Sequence, residues 1–501
     1  MISRPTLRDY RVIGFFTGKI LAGVSLLYTV PLATAAAFGE WSAFVDFAVG
    51  MSATLASSAL LMLLGDDTRA PMRWVQSMVI AAFSWFAAML LCAIPHYLSG
   101  NFLSYLDCVF DVMSGFTTTG LTLIQDLDHA SHSLNMWRHL LTYVGGQGMI
   151  VMVLVFLVRG TAGAYMMYVG EGKDERLLPN IVHTSRAIWL ISIVYLLIGT
   201  AVLSLLLARE GIGFPRCLLH GLWLFQSAWS TGGFSPQSQN ILYYHSYAVE
   251  LGTLLFFVIG SFNFILHYAV WSGNVKEMWK NIEIRSFTLT AALTTALLVF
   301  ALARLSLYSD AFVLFRRAVY NLLSAHTTTG FASAYVQQFK ADWGDLALLA
   351  MTTAMAFGGS ACSTAGGIKG LRVGIIAKAI YHEIKRIVLS EDAVFVTKFH
   401  HIRDIVLGDQ QVKMAGLIAL CYIVLYFTGG ILGVVCGYPF TDALFESTSA
   451  GSNSGLSCGI TAASMPAILK LYYILVMWAG RLEFISLFGL IAFGFSIFRG
   501  K

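Results

Sequence analysis

Charge is what this chain has least of. Asp, Glu, Lys and Arg make up 12% of its 501 residues, against about 25% in a soluble globular chain. Apolar residues reach 57%, above the roughly 45–50% of soluble domains, so the surplus has to face lipid. A cytosolic enzyme, a disordered chain and, despite a formal net charge of +5, a nucleic-acid binder are thereby excluded. The seven cysteines, at 92, 108, 217, 362, 421, 436 and 458, form no CxxC and no Cys/His cluster with zinc-like spacing. They read as small buried hydrophobes rather than a disulfide frame. HExxH, a nucleophile elbow and a Walker sequence are also missing, so the chain reads as a non-enzyme.

Long apolar runs are what it has. A helix needs roughly 20 apolar residues to cross a hydrocarbon core about 30 Å thick. Ten candidate spans lie at 13–37, 43–65, 74–96, 137–159, 186–208, 247–272, 285–307, 342–380, 413–436 and 467–497. The basic flank Arg4, Arg8, Arg11 is followed by no small-residue cleavage site, so the first span reads as an anchor. With the N-terminus inside, 23 of the 32 Lys and Arg fall on the cytoplasmic side and 7 outside. Lys470 and Arg481 remain within the last span. The asymmetry predicts both termini cytoplasmic.

Four semi-apolar stretches, near 103–119, 216–232, 312–329 and 440–454, are too short to cross and read as re-entrant helices. Their ends repeat: SGFTTTGL (114–121), SAWSTGGF (227–234), SAHTTTGF (324–331) and SAGSNSGL (449–456). A re-entrant helix points its partly negative C-terminal end at mid-membrane, which favours a cation. Extended backbone after it can aim carbonyls at an axis in place of an ion's hydration shell. Glycine allows the positive φ this demands, and Thr and Ser add hydroxyl oxygens. Four such tracts from one chain would enclose one axis with pseudo-fourfold symmetry. None carries a charge, which suits a weakly hydrated monovalent cation.

On these tracts the chain resembles the Trk/Ktr/HKT superfamily of potassium transporters, and its two extra N-terminal spans match the TrkH branch. The resemblance implies an all-α polytopic membrane protein with four span–pore-helix–span repeats around one pore. The two-helix extension would occupy 1–70 and the repeats 71–175, 176–280, 281–395 and 396–501. It implies potassium uptake across the bacterial inner membrane, with K⁺ as the transported ion and no covalently bound cofactor. It further implies a homodimer and a TrkA-type nucleotide-binding cytoplasmic subunit; this chain has no nucleotide fingerprint of its own. By that resemblance the ion-coordinating backbone maps onto Thr118, Thr119, Gly120, onto Thr231, Gly232, Gly233, onto Thr328, Thr329, Gly330, and onto Asn453, Ser454, Gly455. A serine at the first of these glycines accompanies sodium transport in plant relatives, so four glycines favour potassium. A sodium-permeable member and a secondary transporter of an organic solute are the alternatives, and channel-like against H⁺- or Na⁺-coupled transport stays open.

The run 358–367, GGSACSTAGG, would unravel a helix, since each glycine costs about 1 kcal/mol relative to alanine. Lys369 follows, but without GK[ST] or a preceding strand a phosphate cradle is set aside. A packing kink and a flexible intramembrane loop able to occlude the pore are the remaining readings. The family has a gating loop here, which implies gate roles for Gly358, Gly359, Ser360, Gly366 and Gly367. Arg481 and Glu483 sit in AGRLEF, where a mid-membrane charge costs at least about 2.5–3.5 kcal/mol and so faces a cavity or a partner. The family's GRLE motif implies that Arg481 is an electrostatic barrier below the filter; separate structural partners are the other reading. Lys369 is expected to snorkel at the cytoplasmic end. Asp111 and Glu446, where the other repeats have Leu224 and Asn321, either raise the local cation concentration or pair within the helix packing. His129 and His132 read as solvated loop residues and His326 as a packed one. The basic segment 381–412 is expected to meet anionic lipid or the cytoplasmic partner.

Overall fold

The computed structural model describes residues 4–65, 72–156, 162–172, 180–390 and 395–499. Arg69, Arg159, Lys173, Arg176 and Lys501, counted above in the charge asymmetry, lie outside the described residues. Among those described, the chain is helical except for one antiparallel hairpin, Lys398–His401 with Arg403–Val406.

Six of the ten candidate spans coincide with continuous helical segments long and apolar enough to cross a membrane: Leu7–Phe38, Trp41–Leu64, Trp74–Leu98, Ile181–Arg209, Ile282–Arg304 and Asp409–Val435. The other four are not single helices; the interruption of 342–380 by its glycine run is as expected, and the other three breaks are not. The span at 137–159 breaks at Gly148, between His132–Gln147 and Met149–Phe156. The span at 247–272 is Tyr247–Gly260 followed by Phe264–Trp271, bent by 99°, and the last is Ala467–Arg481 followed by Ile485–Arg499, bent by 112°. The span at 342–380 splits into Gly344–Ala356 and Gly370–Val388.

The four re-entrant candidates are helices Tyr105–Phe116, Arg216–Trp229, Ala311–His326 and Phe440–Gly451, of 12, 14, 16 and 12 residues. At about 1.5 Å per residue none spans a 30 Å core. Their starts are set locally. Ser104 Oγ accepts from the Asp107 N–H and Asp310 Oδ1 from the Phe312 N–H, while Pro215 and Pro439 occupy the N-cap of the other two. Ser and Asp caps satisfy donors that a helix start leaves orphaned.

The breaks and the short helices are packed backbone to backbone. A Cβ on Gly145, Gly260 or Gly480 would run into the carbonyl oxygen of Phe116, Trp229 or Gly451 respectively. Each of those carbonyls belongs to the last residue of a short helix or lies at its end. Glycine is needed here for close approach, and the approach brings three of the four breaks, those at Gly148, after Gly260 and after Arg481, against the end of the short helix that precedes each in the chain.

Candidate functional site

The four short helices end identically. The carbonyls of Ser114, Ser227, Ser324 and Ser449 each accept, at 2.8 Å, the N–H of the residue five positions on: Thr119, Gly232, Thr329 and Ser454. The carbonyls of Gly115, Ala228, Ala325 and Ala450 accept from Thr118, Thr231, Thr328 and Asn453 at 3.0–3.2 Å. These paired bonds are Schellman caps, which require a left-handed residue just past the helix, normally glycine. Here it is Thr118 (φ +56°), Thr231 (+50°), Thr328 (+54°) or Asn453 (+58°). For a β-branched residue that conformation costs on the order of 1–3 kcal/mol and persists only when the surroundings impose it. Two residues further, Gly120, Gly233, Gly330 and Gly455 have φ of +90°, +68°, +84° and +85°.

The glycines close a ring. A Cβ on Gly120 would strike the carbonyl oxygen of Gly232, one on Gly233 that of Thr329, one on Gly330 that of Ser454, and one on Gly455 that of Thr119. In all four cases it would also lie 3.1 Å from the Cα of the next tract's glycine. Tract one thus meets two, two meets three, three meets four and four meets one, with the main chain of each against the next. The Asn453 amide adds a brace from tract four to tract one, donating to Thr119 Oγ1 at 3.1 Å and to the Met477 carbonyl at 2.9 Å.

One face of the ring opens into a cavity of about 410 Å³ bordered by Gly120, Gly330, Gly455, Thr122, Asn240 and Ser457, and none of the described residues lining it is charged. The other face is stoppered by the segment between Ala356 and Gly370. Its ends are tied together by the Gly358 N–H to the Ile368 carbonyl (2.9 Å) and the Ile368 N–H to the Ala356 carbonyl (3.0 Å). Between them the segment reaches every tract. The Thr364 carbonyl accepts from Thr118 Oγ1 at 3.5 Å, Thr364 Oγ1 lies 3.1 Å from Thr231 Oγ1, and the Gly366 N–H donates to Thr328 Oγ1 at 2.7 Å. A Cβ on Gly366 would meet the Ser452 carbonyl. The hydroxyls of Thr118, Thr231 and Thr328 are therefore turned toward this segment. Beyond it, among Cys362, Gly366, Lys369, Arg481 and Glu483, remains a cavity of about 10 Å³, room for roughly one water.

Arg481 locks this arrangement. It is 7% exposed, and its guanidinium donates to the Thr364 carbonyl at 2.9 Å, to the Gly146 carbonyl at 2.8 Å and to the Gly145 carbonyl. Gly145 and Gly146 lie in the last turn of His132–Gln147, where a helix presents its partly negative end. Glu483 has separate partners, as the second reading of that pair expects: Lys369 at 3.8 Å and Arg372. The helix stops at Arg481 and Glu483 takes φ +49°, so the two charges face different ways. Lys369 is 3% exposed, with Nζ donating to the Ala365 carbonyl; the expected snorkelling position is corrected, because a carboxylate at depth draws it inward.

Asp111 and Glu446 pair within the packing. The Arg138 guanidinium donates to Asp111 at 3.0 and 3.4 Å, His96 Nε2 lies 3.2 Å away, and Thr122 Oγ1 donates to it as well. Glu446 accepts from the N–H groups of Cys458, Ile460 and Thr461 and from the hydroxyls of Ser457 and Thr461. Asn321 exchanges bonds with Ser333 at 3.0 Å. Asp111, Asn321 and Glu446, each nine residues before a ring glycine, thus staple the outgoing segment onto the short helix; Leu224, at the matching position, cannot. Lys470 is neutralised by Asp107 at 2.6 Å. His129 pairs with Asp126 and His132 with Glu40, and no metal-holding group of His, Cys, Asp and Glu occurs among the described residues. His326 Nε2 meets Thr290 Oγ1 at 2.7 Å, a packed residue as expected.

Sequence reasoning missed several residues. Glu171 caps the helix after Gly148, accepting from the Ile150 and Val151 N–H groups at 2.9 and 3.1 Å. Glu283 accepts from the Ala361 N–H at 2.6 Å and lies 3.9 Å from His401 on the hairpin. Asn240 donates to the Gly233 carbonyl at 3.4 Å and accepts from the Ala332 N–H at 3.3 Å. Only the glycines Gly145, Gly260 and Gly480, each 25 or 27 residues after a ring glycine, carried a signal that could have been read.

The family model of TrkH, a cation transport protein, matches residues 44–493. An uncharacterized cation transporter of Methanocaldococcus jannaschii is 29% identical over 98% of this chain and 97% of its own length. The Trk system potassium uptake protein TrkH of Halomonas elongata is 29% identical over 94% and 96%, and TrkG of Escherichia coli K12 is 29% identical over 81% and 82%. The crystal structure of the potassium transporter TrkH from Vibrio parahaemolyticus superposes with a TM-score of 0.81 at 24% identity, covering 96% of this chain and 98% of that one. The chain is a multi-pass membrane protein and belongs to the TrkH family of cation transport proteins.

Proposed function

We propose that this chain is the membrane subunit of a potassium uptake system, and that K⁺ passes through the ring of four glycine tracts. The observation that carries the reading is the closure of that ring, with main-chain carbonyls of each tract against the glycine of the next. An ion entering from the uncharged 410 Å³ cavity sheds water and takes carbonyl oxygens in its place. The residues we assign to this filter are Thr118 to Gly120, Thr231 to Gly233, Thr328 to Gly330 and Asn453 to Gly455.

The segment 358–367 and Arg481 form the gate. A cation leaving the ring meets a fixed guanidinium, and like charges about 4 Å apart repel by about 4 kcal/mol at an effective dielectric of about 20. Opening requires the Arg481–Thr364 bond to break and the loop to withdraw. Gly358, Gly359, Gly366 and Gly367 give the loop freedom, and Ser360, whose N–H is held by the Ser261 carbonyl at 2.9 Å, is its anchor on the second repeat. Repeats at 71–175, 176–280, 281–395 and 396–501, behind the extension 1–70, fit this assignment, each supplying one short helix, one tract and one broken helix. The positive-inside distribution supports both termini on the cytoplasmic side of the inner membrane. A second copy of the chain and a nucleotide-binding cytoplasmic subunit are the partners proposed, the latter on the side of the 398–406 hairpin.

Expression in a bacterium lacking its own potassium uptake systems tests the proposal. Growth should be restored at low external potassium. Normal membrane expression without rescue would contradict it, and rescue dependent on an organic solute would favour the alternative.

A further inference from the structure

The loop 358–367 has holders of two kinds. Arg481, Thr328 and Ser261, described above, belong to the ring and the broken helices. Glu283 stands elsewhere, in the first turn of the continuous helix Ile282–Arg304. It is buried, and its Oε1 accepts the Ala361 N–H at 2.6 Å. Its Oε2 lies 3.9 Å from Nδ1 of His401, on the 398–406 hairpin. One buried carboxylate thus meets both the loop and the hairpin.

The residues before Glu283 fasten the same hairpin. Glu277 Oε1 accepts the Ile402 N–H at 3.0 Å, and Glu277 Oε2 lies 3.1 Å from His400 Nε2. Asn281 joins the two acids. Its Nδ2 donates to Glu277 Oε1 at 3.2 Å, while its Oδ1 accepts the Glu283 N–H at 3.0 Å and lies 3.3 Å from His401 Nδ1. Glu277, Asn281, Glu283 and His401 are all buried. A buried polar chain is held to one arrangement, because displacing one member leaves the next unsatisfied. Apolar contact runs alongside: Ile282, Phe399 of the hairpin and Ile375 of Gly370–Val388, the helix that leaves the loop, share one cluster. Ala361 and Lys369 also border a cavity of about 430 Å³ together with Phe399, His401 and Met414. The loop has room on that side, whereas about 10 Å³ remains beside Arg481.

We propose that Glu283 is a positioning residue that couples the 398–406 hairpin to the loop, so that a displacement of the hairpin is felt at Ala361. Its consequence for flux rests on the gate assigned above. While Glu283 holds the Ala361 N–H, the loop stays seated against the ring. When the hairpin draws His401 and the 277–283 segment away, that N–H loses its acceptor and the loop can withdraw into the 430 Å³ cavity.

The test uses the full chain in proteoliposomes with Cys362, the buried neighbour of Ala361, as its one thiol and the other six cysteines replaced by alanine. The rate at which a cationic methanethiosulfonate modifies Cys362 is read beside rubidium flux. Glu283→Ala should raise the modification rate about ten-fold, and Glu283→Gln, which keeps an acceptor oxygen, by no more than about three-fold. His401→Ala should raise it about three-fold. The double variant Glu283→Ala/His401→Ala should exceed Glu283→Ala by less than about two-fold, since both changes act through one contact. Should Glu283→Ala fail to fold, Glu277→Ala reads the coupling from the hairpin end and should raise the rate as well. A faster rate without a faster flux would support the coupling and count against the gate assignment. An unchanged rate in Glu283→Ala or Glu277→Ala, or full multiplication of the two effects in the double variant, would overturn the coupling.

Discussion

Thr364 and Arg481, 117 residues apart, meet where the guanidinium donates to the threonine carbonyl at 2.9 Å. The same guanidinium reaches the end of His132–Gln147 through Gly145 and Gly146. One side chain therefore fastens the 358–367 segment to the broken helices His132–Gln147 and Ala467–Arg481. A charge-assisted hydrogen bond contributes about 1.5–3 kcal/mol. Removing one such tie should shift a closed–open balance by roughly ten-fold or more. Arg481→Gln is expected to raise rubidium flux into proteoliposomes about ten-fold, and deletion of 358–367 to raise it further. Flux no higher than wild type in both would remove the gate assignment.

Asp111 and Glu446 should behave as structural residues. Arg138 is 1% exposed and faces Asp111, so Asp111→Ala strands a buried guanidinium. Breaking a buried pair in this way costs about 3–5 kcal/mol. Thermal unfolding in detergent should fall by several degrees, while the rubidium-over-sodium ratio of the surviving protein stays at the wild-type value. A changed ratio with unchanged stability would return these carboxylates to ion attraction.

The repeated tracts were legible because the chemistry is local. A serine carbonyl, a left-handed position and a glycine recur at fixed offsets, and the Schellman caps use those offsets. The short helices could be placed from the same pattern to within a few residues. The breaks at Gly148, after Gly260 and at Leu482–Phe484 were not legible, because hydropathy is a sum along the chain and does not register a 99° or 112° turn. Nor could spacing reveal that Asp111 meets Arg138, 27 residues on, or that Glu283 reaches Ala361, 78 residues on. Those pairings are set by how helices cross, which a one-dimensional pattern does not encode.

The 398–406 hairpin should respond to pH through His400. Its imidazole is bonded to Asp404 at 2.7 Å and to Glu277 at 3.1 Å. The Asp404 bond foremost, then Glu277, raises its pKa above the ordinary 6.5. A raised folded-state pKa means that the stabilisation is fully present below the unfolded value and is lost as pH rises through the folded one. Hydrogen exchange across 398–406, corrected for its intrinsic pH dependence, should accelerate as the pH rises above the ordinary 6.5 and through the raised folded-state value. His400→Gln should flatten that profile; a wild-type profile already flat would contradict the pairing.

The ring of glycines is the centre of the account. Gly120→Ser, Gly233→Ser, Gly330→Ser and Gly455→Ser each place a side chain against the main chain of the next tract. Gly39→Ser, at a left-handed glycine with nothing within 4 Å, is the matched control. The measurement is the rubidium-over-sodium uptake ratio of each purified variant in proteoliposomes. All four ring variants should admit more sodium relative to rubidium, and Gly39→Ser should not. A ratio unchanged across all four ring variants, in protein that still transports, would contradict it.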